Sequence, residues 1–112
     1  MSTISVTKIK TVQVIEVIGR LDGDSAPEMG RLLDQAIDDG CSQLVLDLGS
    51  VDYMSSPGLR EIVRIFKRAQ QQGGDLRIAN PADRVMDVME LSGLDTTLQI
   101  YSSRIAAVNS FQ

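Results

Sequence analysis

The stretch Val51–Val63 reads VDYMSSPGLREIV and joins two patterns of different periodicity. It follows the apolar run LVLDL, which is typical of a buried strand, and it leads into residues whose apolar side chains recur at helical spacing. Pro57 has no N–H to lose and suits the first position of a helix, so Ser56 is the predicted N-cap. The segment therefore predicts a strand-to-helix junction with two hydroxyls, those of Ser55 and Ser56, at the start of the helix.

Patterns on both sides of this junction predict an α/β fold. Two β-branched runs, Ile4–Ile9 and Val12–Gly19, are separated by only two residues and predict a hairpin-like pair of strands. The first helix is expected to begin at a capping box formed by Ser25 and Glu28. The other predicted strands are SQLVLDLG, DLRIAN and TLQIY, and the predicted helices are DSAPEMGRLLDQAIDD, Gly58–Gln72, Ala82–Leu91 and SRIAAVNSF. This order predicts one mixed sheet of four to five strands covered by about four helices.

Composition limits the classes of function. The 112 residues are 43% hydrophobic, which suits one globular domain, residues 1–112. A net charge of −4 opposes binding to nucleic acid, and no apolar run is long enough for membrane insertion. The chain has no histidine, and its single cysteine, Cys41, lacks partners for a zinc site or an internal disulfide. The sequence therefore predicts a cytoplasmic protein that is not an enzyme and holds no metal or cofactor.

The start of the predicted second helix has the features of an anion site. Leu59 stands where a capping box needs Glu or Gln, and Gly58 has no side chain to screen the free N–H groups of the first turn. A phosphoryl group on Ser56 would place negative charge beside these donors, at the positive end of the helix dipole. Arg60, one turn on, could pair with it. The competing interpretation is an ordinary N-cap, and local physics alone does not decide between the two.

Several segments resemble, in the right order, the bacterial anti-sigma factor antagonists, which are STAS domains. The family's Asp-Ser-Ser-Gly-Leu signature is matched by YMSSPGLRE, and its Gly-x-Leu-Asp turn after the second strand is matched by GRLDGDSA. Its third strand, its fourth strand and the stretch before its last strand are matched by LVLDLGSVDYM, GGDLRIANP and VMELSGLDTTLQIY. The resemblance runs from about Ser5 to Ala106 and implies a single STAS domain.

The resemblance also implies a partner switch. In this family, an anti-sigma factor that is also a serine kinase binds the antagonist and phosphorylates a serine at this helix start. A metal-dependent phosphatase of the PP2C type removes the phosphate. The unmodified antagonist captures the anti-sigma factor and the phosphorylated form does not, so the chain is expected to regulate transcription through these two partners. The alternative is a STAS scaffold in a sensory or transport complex that acts without phosphorylation.

Matching the signature residue by residue identifies the expected site. Ser56 falls on the family's phosphorylated serine, and Ser55 falls on the aspartate that usually precedes it. Ser55 therefore adds a second hydroxyl and is the other candidate acceptor. Pro57 stands in place of a serine, and Asp22 matches an acidic residue that is expected to lie near the motif. The expected partner-binding residues are Asp22, Met54, Ser55, Ser56, Pro57, Gly58, Leu59 and Arg60.

Two further expectations concern the surface that a partner would contact. Exposed apolar atoms of Met54 and Pro57, together with Met86 and Met89, are expected to contact the partner, so that a phosphate buried beneath it would oppose binding. A separate basic face is predicted on the second helix, either to meet an acidic partner surface or simply to be solvated. This face consists of Arg60, Arg64, Lys67 and Arg68.

Overall fold

The strand that precedes the serine pair is the middle strand of a five-stranded sheet. The computed structural model describes residues 2–112. The strands lie in the sheet in chain order and are β1 (Thr3–Ile9), β2 (Val12–Leu21), β3 (Gln43–Met54), β4 (Asp75–Ala79) and β5 (Ile100–Tyr101). β1 pairs with β2 in antiparallel orientation, and each later pair of neighbours is parallel. The predicted mixed sheet and its hairpin are confirmed.

The described residues form five helices, one more than the sequence patterns predict. They are α1 (Ser25–Asp38), α2 (Ser56–Gln71), α3 (Asp83–Ser92), α4 (Leu94–Thr97) and α5 (Arg104–Asn109). The additional helix, α4, is a single turn that follows Gly93. Gly93 has a φ of 79°, a left-handed conformation that ends α3 and redirects the chain before α4 begins.

The sheet has an apolar core on each face. The larger core lies under α1, α2 and α3 and contains three leucines of β3, Leu44, Leu46 and Leu48. The smaller core lies under α5, where Val45 of β3 packs with Ala107. Each fully buried leucine contributes about 1.5–3 kcal/mol relative to an exposed one, so the larger core holds α1 and α2 firmly on the sheet.

β3 is longer than its alternating pattern predicts, and this length positions the candidate site. The strand continues past SQLVLDLG because β2 remains paired with it. This pairing contains two register shifts and ends at the pair Leu21 and Met54. Both strands therefore end at the same edge of the sheet. Directly after these ends come Asp22 and Ser55.

Candidate functional site

The serine pair lies between β3 and α2, and the N-cap of α2 is one residue earlier in the chain than predicted. Ser55 has extended backbone angles, φ −100° and ψ 172°, and its carbonyl oxygen accepts the Leu59 N–H at 3.1 Å. Ser55 is therefore the N-cap, and the prediction of Ser56 as N-cap was wrong. Ser56 is the first helical residue and Pro57 the second. Proline is tolerated there as well, because the first-turn N–H groups have no partner within a helix.

The two hydroxyls are in different environments. The Ser55 N–H donates to the Leu21 carbonyl oxygen at 2.9 Å, and Ser55 Oγ donates to the same oxygen at 3.3 Å. Ser55 is half-buried, whereas Ser56 is exposed. Ser55 thus attaches the start of α2 to the end of β2, while Ser56 presents its hydroxyl to solvent.

Gly58 is a packing residue, and the expectation that it opens the first turn to solvent was wrong. The residue is buried, with its α-carbon against the ends of β2 and β3. A Cβ added there would lie 2.9 Å from both the Cγ and the carbonyl oxygen of Leu21 and 3.3 Å from the Cγ of Met54. Because real Cβ atoms do not approach backbone oxygens so closely, glycine is what allows α2 to start at this position.

Asp22 lies in the turn between β2 and α1 and caps that helix. Its carboxylate accepts the N–H groups of Asp24 at 3.0 Å and Ser25 at 3.2 Å, and Arg20 Nε donates to it at 3.4 Å. These bonds, led by the one from the Ser25 backbone, hold the pKa of Asp22 below its ordinary value, because they stabilise the charged form. The carboxylate therefore stays ionised and fixed in the turn.

The capping box predicted at the start of α1 is not formed. Glu28 was expected to reach back to the helix start, but it pairs with Arg31 at 2.7 Å. Ser25 is buried, and its Oγ donates to the Arg20 carbonyl oxygen at 2.6 Å and accepts the Asp22 N–H at 3.0 Å. Asp22, which comes before the predicted box, supplies the capping carboxylate instead.

The structure brings the Asp22 turn and the serine pair together, as the resemblance predicts. Leu21, whose carbonyl oxygen binds Ser55, is the residue directly before Asp22. Two helix starts, those of α1 and α2, therefore lie side by side at one edge of the sheet. This arrangement gives the exposed hydroxyl of Ser56 a carboxylate-containing turn as its neighbour.

Comparison with protein families identifies this arrangement. The model of the STAS domain matches residues 3–107 of the chain. The chain belongs to the STAS domain family. The match covers both helix starts and every strand of the sheet.

Individual relatives agree with this assignment. BtrV of Bordetella bronchiseptica, which is named an anti-sigma factor antagonist, is 30% identical over 109 residues, 97% of this chain and 94% of BtrV. A Thermotoga maritima protein described as an anti-sigma factor antagonist superposes with a TM-score of 0.90 at 23% identity, over 96% of this chain and 92% of that protein. The phosphorylated form of the Bacillus cell fate determinant SpoIIAA superposes with a TM-score of 0.79 at 17% identity, over 98% and 100% of the two chains. At these low identities, the two structures show a shared fold.

Two residues beside the site of this STAS domain, an arginine and a tyrosine, were not among the predicted site residues. Arg20 and Tyr53 pair across β2 and β3, and the guanidinium carbon lies 4.2 Å from the centre of the Tyr53 ring. A cation–π contact at an exposed site is worth about 0.5–1 kcal/mol. Because Arg20 also donates to Asp22, it connects the ring to the capping turn. No local signal marks this pair, since a register shift between Gly19 and Arg20 decides which residues are opposite each other.

The basic face predicted on α2 is largely neutralised within the domain. Arg64 pairs with Asp34 and with Glu61 at 2.8 Å each, and Arg68 pairs with Asp34 at 2.8 Å. These bonds, led by those from Arg64, hold the pKa of Asp34 below its ordinary value. Asp34 belongs to α1, so the two arginines attach α2 to α1. The prediction that they present a free basic face was therefore wrong.

Arg60 and Lys67 differ from the other two basic residues of that face. Both are exposed, and neither forms an ion pair with any residue between 2 and 112. The acidic side chains of α1 pair with Arg64 and Arg68 instead. Only this part of the predicted basic face is available to a binding partner.

The apolar surface expected to meet a partner is smaller than predicted. Met54 is only 6% exposed and Met89 is fully buried, so neither side chain is available for docking. Both belong to the larger core, because the pairing of β3 and the packing of α3 turn them inward. Met86 and Pro57 are half-buried and retain some accessible surface.

Two grooves flank the first half of α2. One, of about 490 Å³, lies between α1 and α2 and includes Pro57 and Arg60 in its wall. The other, of about 500 Å³, lies between α2 and the segment that joins α3 to α4, and Leu59 and Leu94 line it. Arg60 borders both grooves. A partner placed over Ser56 would therefore meet depressions on both sides of the helix.

Neither a membrane-spanning helix nor a cluster of metal ligands occurs among the described residues. None of the helices in residues 2–112 combines the length and the hydrophobicity that crossing a membrane requires. Within the same residues, no three His, Cys, Asp or Glu side chains come together in a way that could hold a metal ion. The candidate site consists of the serine pair, the Asp22 turn and the two grooves.

Proposed function

We propose that this STAS domain is an anti-sigma factor antagonist that acts by partner switching. The unmodified form binds an anti-sigma factor that is also a serine kinase, phosphorylation of Ser56 abolishes the binding, and a PP2C-type phosphatase reverses it. The domain acts as a ligand and a kinase substrate, not as an enzyme. The observation that carries the proposal is the exposed hydroxyl of Ser56 at the first position of α2, in a chain that is 31% identical over 86 residues to the anti-sigma-B factor antagonist of Bacillus subtilis.

The geometry favours Ser56 over Ser55 as the acceptor. The Ser55 hydroxyl donates to the Leu21 carbonyl oxygen, and the residue is half-buried. A phosphoryl group on Ser55 would break this bond and bring its negative charge towards a carbonyl oxygen. Ser56 can accept the group without losing an interaction that holds α2 to the sheet.

Two features of α2 favour a phosphate on Ser56. No side chain of the described residues caps this helix, so the N–H of the exposed Ser56 has no side-chain partner near the positive end of the dipole. Arg60 is exposed one turn further along and has no ion pair with a described residue. A phosphoryl group adds about −1.5 to −2 charges, which these groups can bind.

Loss of partner binding follows from desolvation. A partner that covers Ser56 and Pro57 would bury the phosphate, and burying a charge without full compensation costs several kcal/mol. A cost of about 3 kcal/mol already lowers the affinity by more than about a hundredfold. The switch therefore requires no change of fold.

The test is phosphorylation by the cognate kinase. The candidate kinase, an ATPase of histidine-kinase type sought among the neighbouring genes, is incubated with the protein, ATP and magnesium. Intact-mass spectrometry is expected to show the gain of one phosphate in the wild type and in Ser55→Ala. No gain is expected in Ser56→Ala, which serves as the matched variant.

Other outcomes would lead to different conclusions. A mass gain that persists in Ser56→Ala and disappears in Ser55→Ala would move the acceptor by one residue. A protein that binds the anti-sigma factor but is never phosphorylated would contradict the switch. That result would favour the phosphorylation-independent scaffold.

A further inference from the structure

We propose that the groove between α2 and the α3–α4 segment binds α3 of a second copy of this chain, forming a two-fold symmetric dimer. The proposal does not depend on the phosphorylation switch. The groove has a volume of about 500 Å³, and the apolar side chains of Leu59, Val63 and Leu94 line it. The basic side chains of Arg60, Arg64 and Lys67 also line it.

Two of the three cations that line the groove have no ion-pair partner in the part of the chain that the structure describes. Arg64 and Arg68 are paired with α1, but Arg60 and Lys67 have no ion pair among residues 2–112. They lie seven residues apart on one face of the helix. Because a helix rises 1.5 Å per residue, their α-carbons are about 10.5 Å apart along the axis. The groove therefore presents two positive charges at a defined spacing beside an apolar floor.

The outward face of α3 carries the complementary pattern. Asp83 and Glu90 are exposed and seven residues apart, which again gives a spacing of about 10.5 Å. Neither forms an ion pair with a residue between 2 and 112. Next to Glu90 is Leu91, which at 89% exposure is the most exposed large hydrophobic side chain of the described residues. An α3 helix laid along the groove of another copy can place both acids opposite both cations and Leu91 against the apolar floor.

The positions of the two surfaces allow both contacts to form at once. Ser92, the last residue of α3, and Leu94 line the groove, so the groove and the outward face of α3 adjoin on the same molecule. A two-fold axis at this border brings α3 of each copy to the groove of the other. The net charge of −4 on each copy opposes their approach at long range, so the short-range pairs must supply the association.

The dimer has a consequence for the proposed switch. Leu59 and Arg60 line the groove and also belong to the surface expected to meet the anti-sigma factor. A second copy in the groove would cover both residues. Self-association and capture of the anti-sigma factor would therefore exclude each other.

The test is sedimentation velocity of the full chain, from about 10 μM to about 1 mM. The wild type is expected to shift from monomer to dimer over this range. Two double variants reverse the charges of one surface each: Arg60→Glu with Lys67→Glu, and Asp83→Lys with Glu90→Lys. Each alone places like charges opposite each other and is expected to weaken self-association by at least about tenfold. An equal mixture of the two is expected to restore it, because both half-sites are then complementary.

Controls separate the interface from general charge and from stability. Lys8→Glu with Lys10→Glu makes the same change in net charge as Arg60→Glu with Lys67→Glu, but beside the β1–β2 turn, and is expected to dimerise like the wild type. Leu91→Ser is expected to weaken the dimer without lowering the melting temperature, because the side chain is exposed in the monomer. A wild type that is monomeric throughout, a mixture that does not associate, or a lysine control that loses association equally would each overturn the proposal.

Discussion

The starts of α1 and α2 lie side by side at one edge of the sheet, yet they are built in opposite ways. At α1, the Asp22 carboxylate accepts two backbone N–H groups, and the buried Ser25 hydroxyl closes the turn. At α2, the N-cap Ser55 uses its hydroxyl to bind Leu21, so no side chain accepts a bond from the first turn. A carboxylate binds backbone N–H groups at the start of α1, whereas no described side chain does so at the start of α2.

This difference separates a structural turn from a site that can accept a charge. A capped N-terminus has its donors occupied and already has a negative charge beside it, so it gains little from a further anion. An uncapped N-terminus with an exposed hydroxyl gains most from a phosphate. The contrast supports Ser56 as the switch residue and Asp22 as part of the frame around it.

The largest expected effect concerns the charge at the open helix start. Ser56→Asp is expected to weaken binding of the cognate anti-sigma factor by more than about a hundredfold, because the added carboxylate would be buried against the partner. Ser56→Ala is the matched control and should bind like the wild type. Isothermal titration calorimetry measures the affinity of both variants for the anti-sigma factor. Equal affinities for the two variants would show that this helix start is not part of the interface.

The next effect concerns how tightly that helix start packs. Gly58→Ala is expected to lower the free energy of unfolding by about 1–2 kcal/mol, although alanine normally favours a helix, because its Cβ would be 2.9 Å from the Leu21 carbonyl oxygen. The control is Gly23→Ala in the turn before α1, where nothing lies within 4 Å of the added carbon. Urea unfolding measures the free energy of unfolding of both variants. A neutral Gly58→Ala would mean that the start of α2 moves freely.

A smaller effect is expected where the two helices are joined. Asp34→Asn removes the carboxylate shared by Arg64 and Arg68, and these partly exposed pairs contribute about 1 kcal/mol together. Because folding lowers the pKa of Asp34, its contribution is present above the ordinary value of 3.8 and is lost as the pH falls through the lowered pKa. Urea unfolding at about pH 7 and about pH 3 should show the difference becoming smaller in acid.

Asp52→Asn is the matched control for that measurement. Asp52 is exposed and pairs with no cation among residues 2–112. Its replacement should leave the free energy of unfolding unchanged at both pH values. If Asp34→Asn behaves in the same way, the ion pairs do not hold α1 to α2.

The smallest effect is expected at the capped helix start. The hydrogen bonds that lower the pKa of Asp22 stabilise the fold above the ordinary pKa of the carboxyl, and this contribution is lost as the pH falls through the lowered value. Asp22→Asn should therefore lower the melting temperature near neutral pH and not in acid. Asp24→Asn, in the same turn, is the control, since its carboxylate accepts no hydrogen bond from residues 2–112. Identical melting profiles for the two variants would contradict the capping role.

Local pattern was enough for most of the fold. The hairpin of β1 and β2, the order of strands and three long helices follow from periodicity and from turn residues within a few positions. Local pattern missed the single turn α4 and the extension of β3 to Met54, and only the family resemblance, through LVLDLGSVDYM, covers that extension. Both depend on where a neighbouring strand or helix lies, and a window of local sequence does not contain that information.

The sequence by itself determined that a serine lies at the start of a helix after a buried strand, because proline and a change of hydrophobic period mark that junction locally. Only the tertiary structure decided which serine is free, since the Leu21 carbonyl that holds Ser55 is 34 residues away in the chain. In the same way, Arg64 meets Asp34 across 30 residues. Such contacts depend on strand register and helix packing, which bring together residues that no local pattern relates.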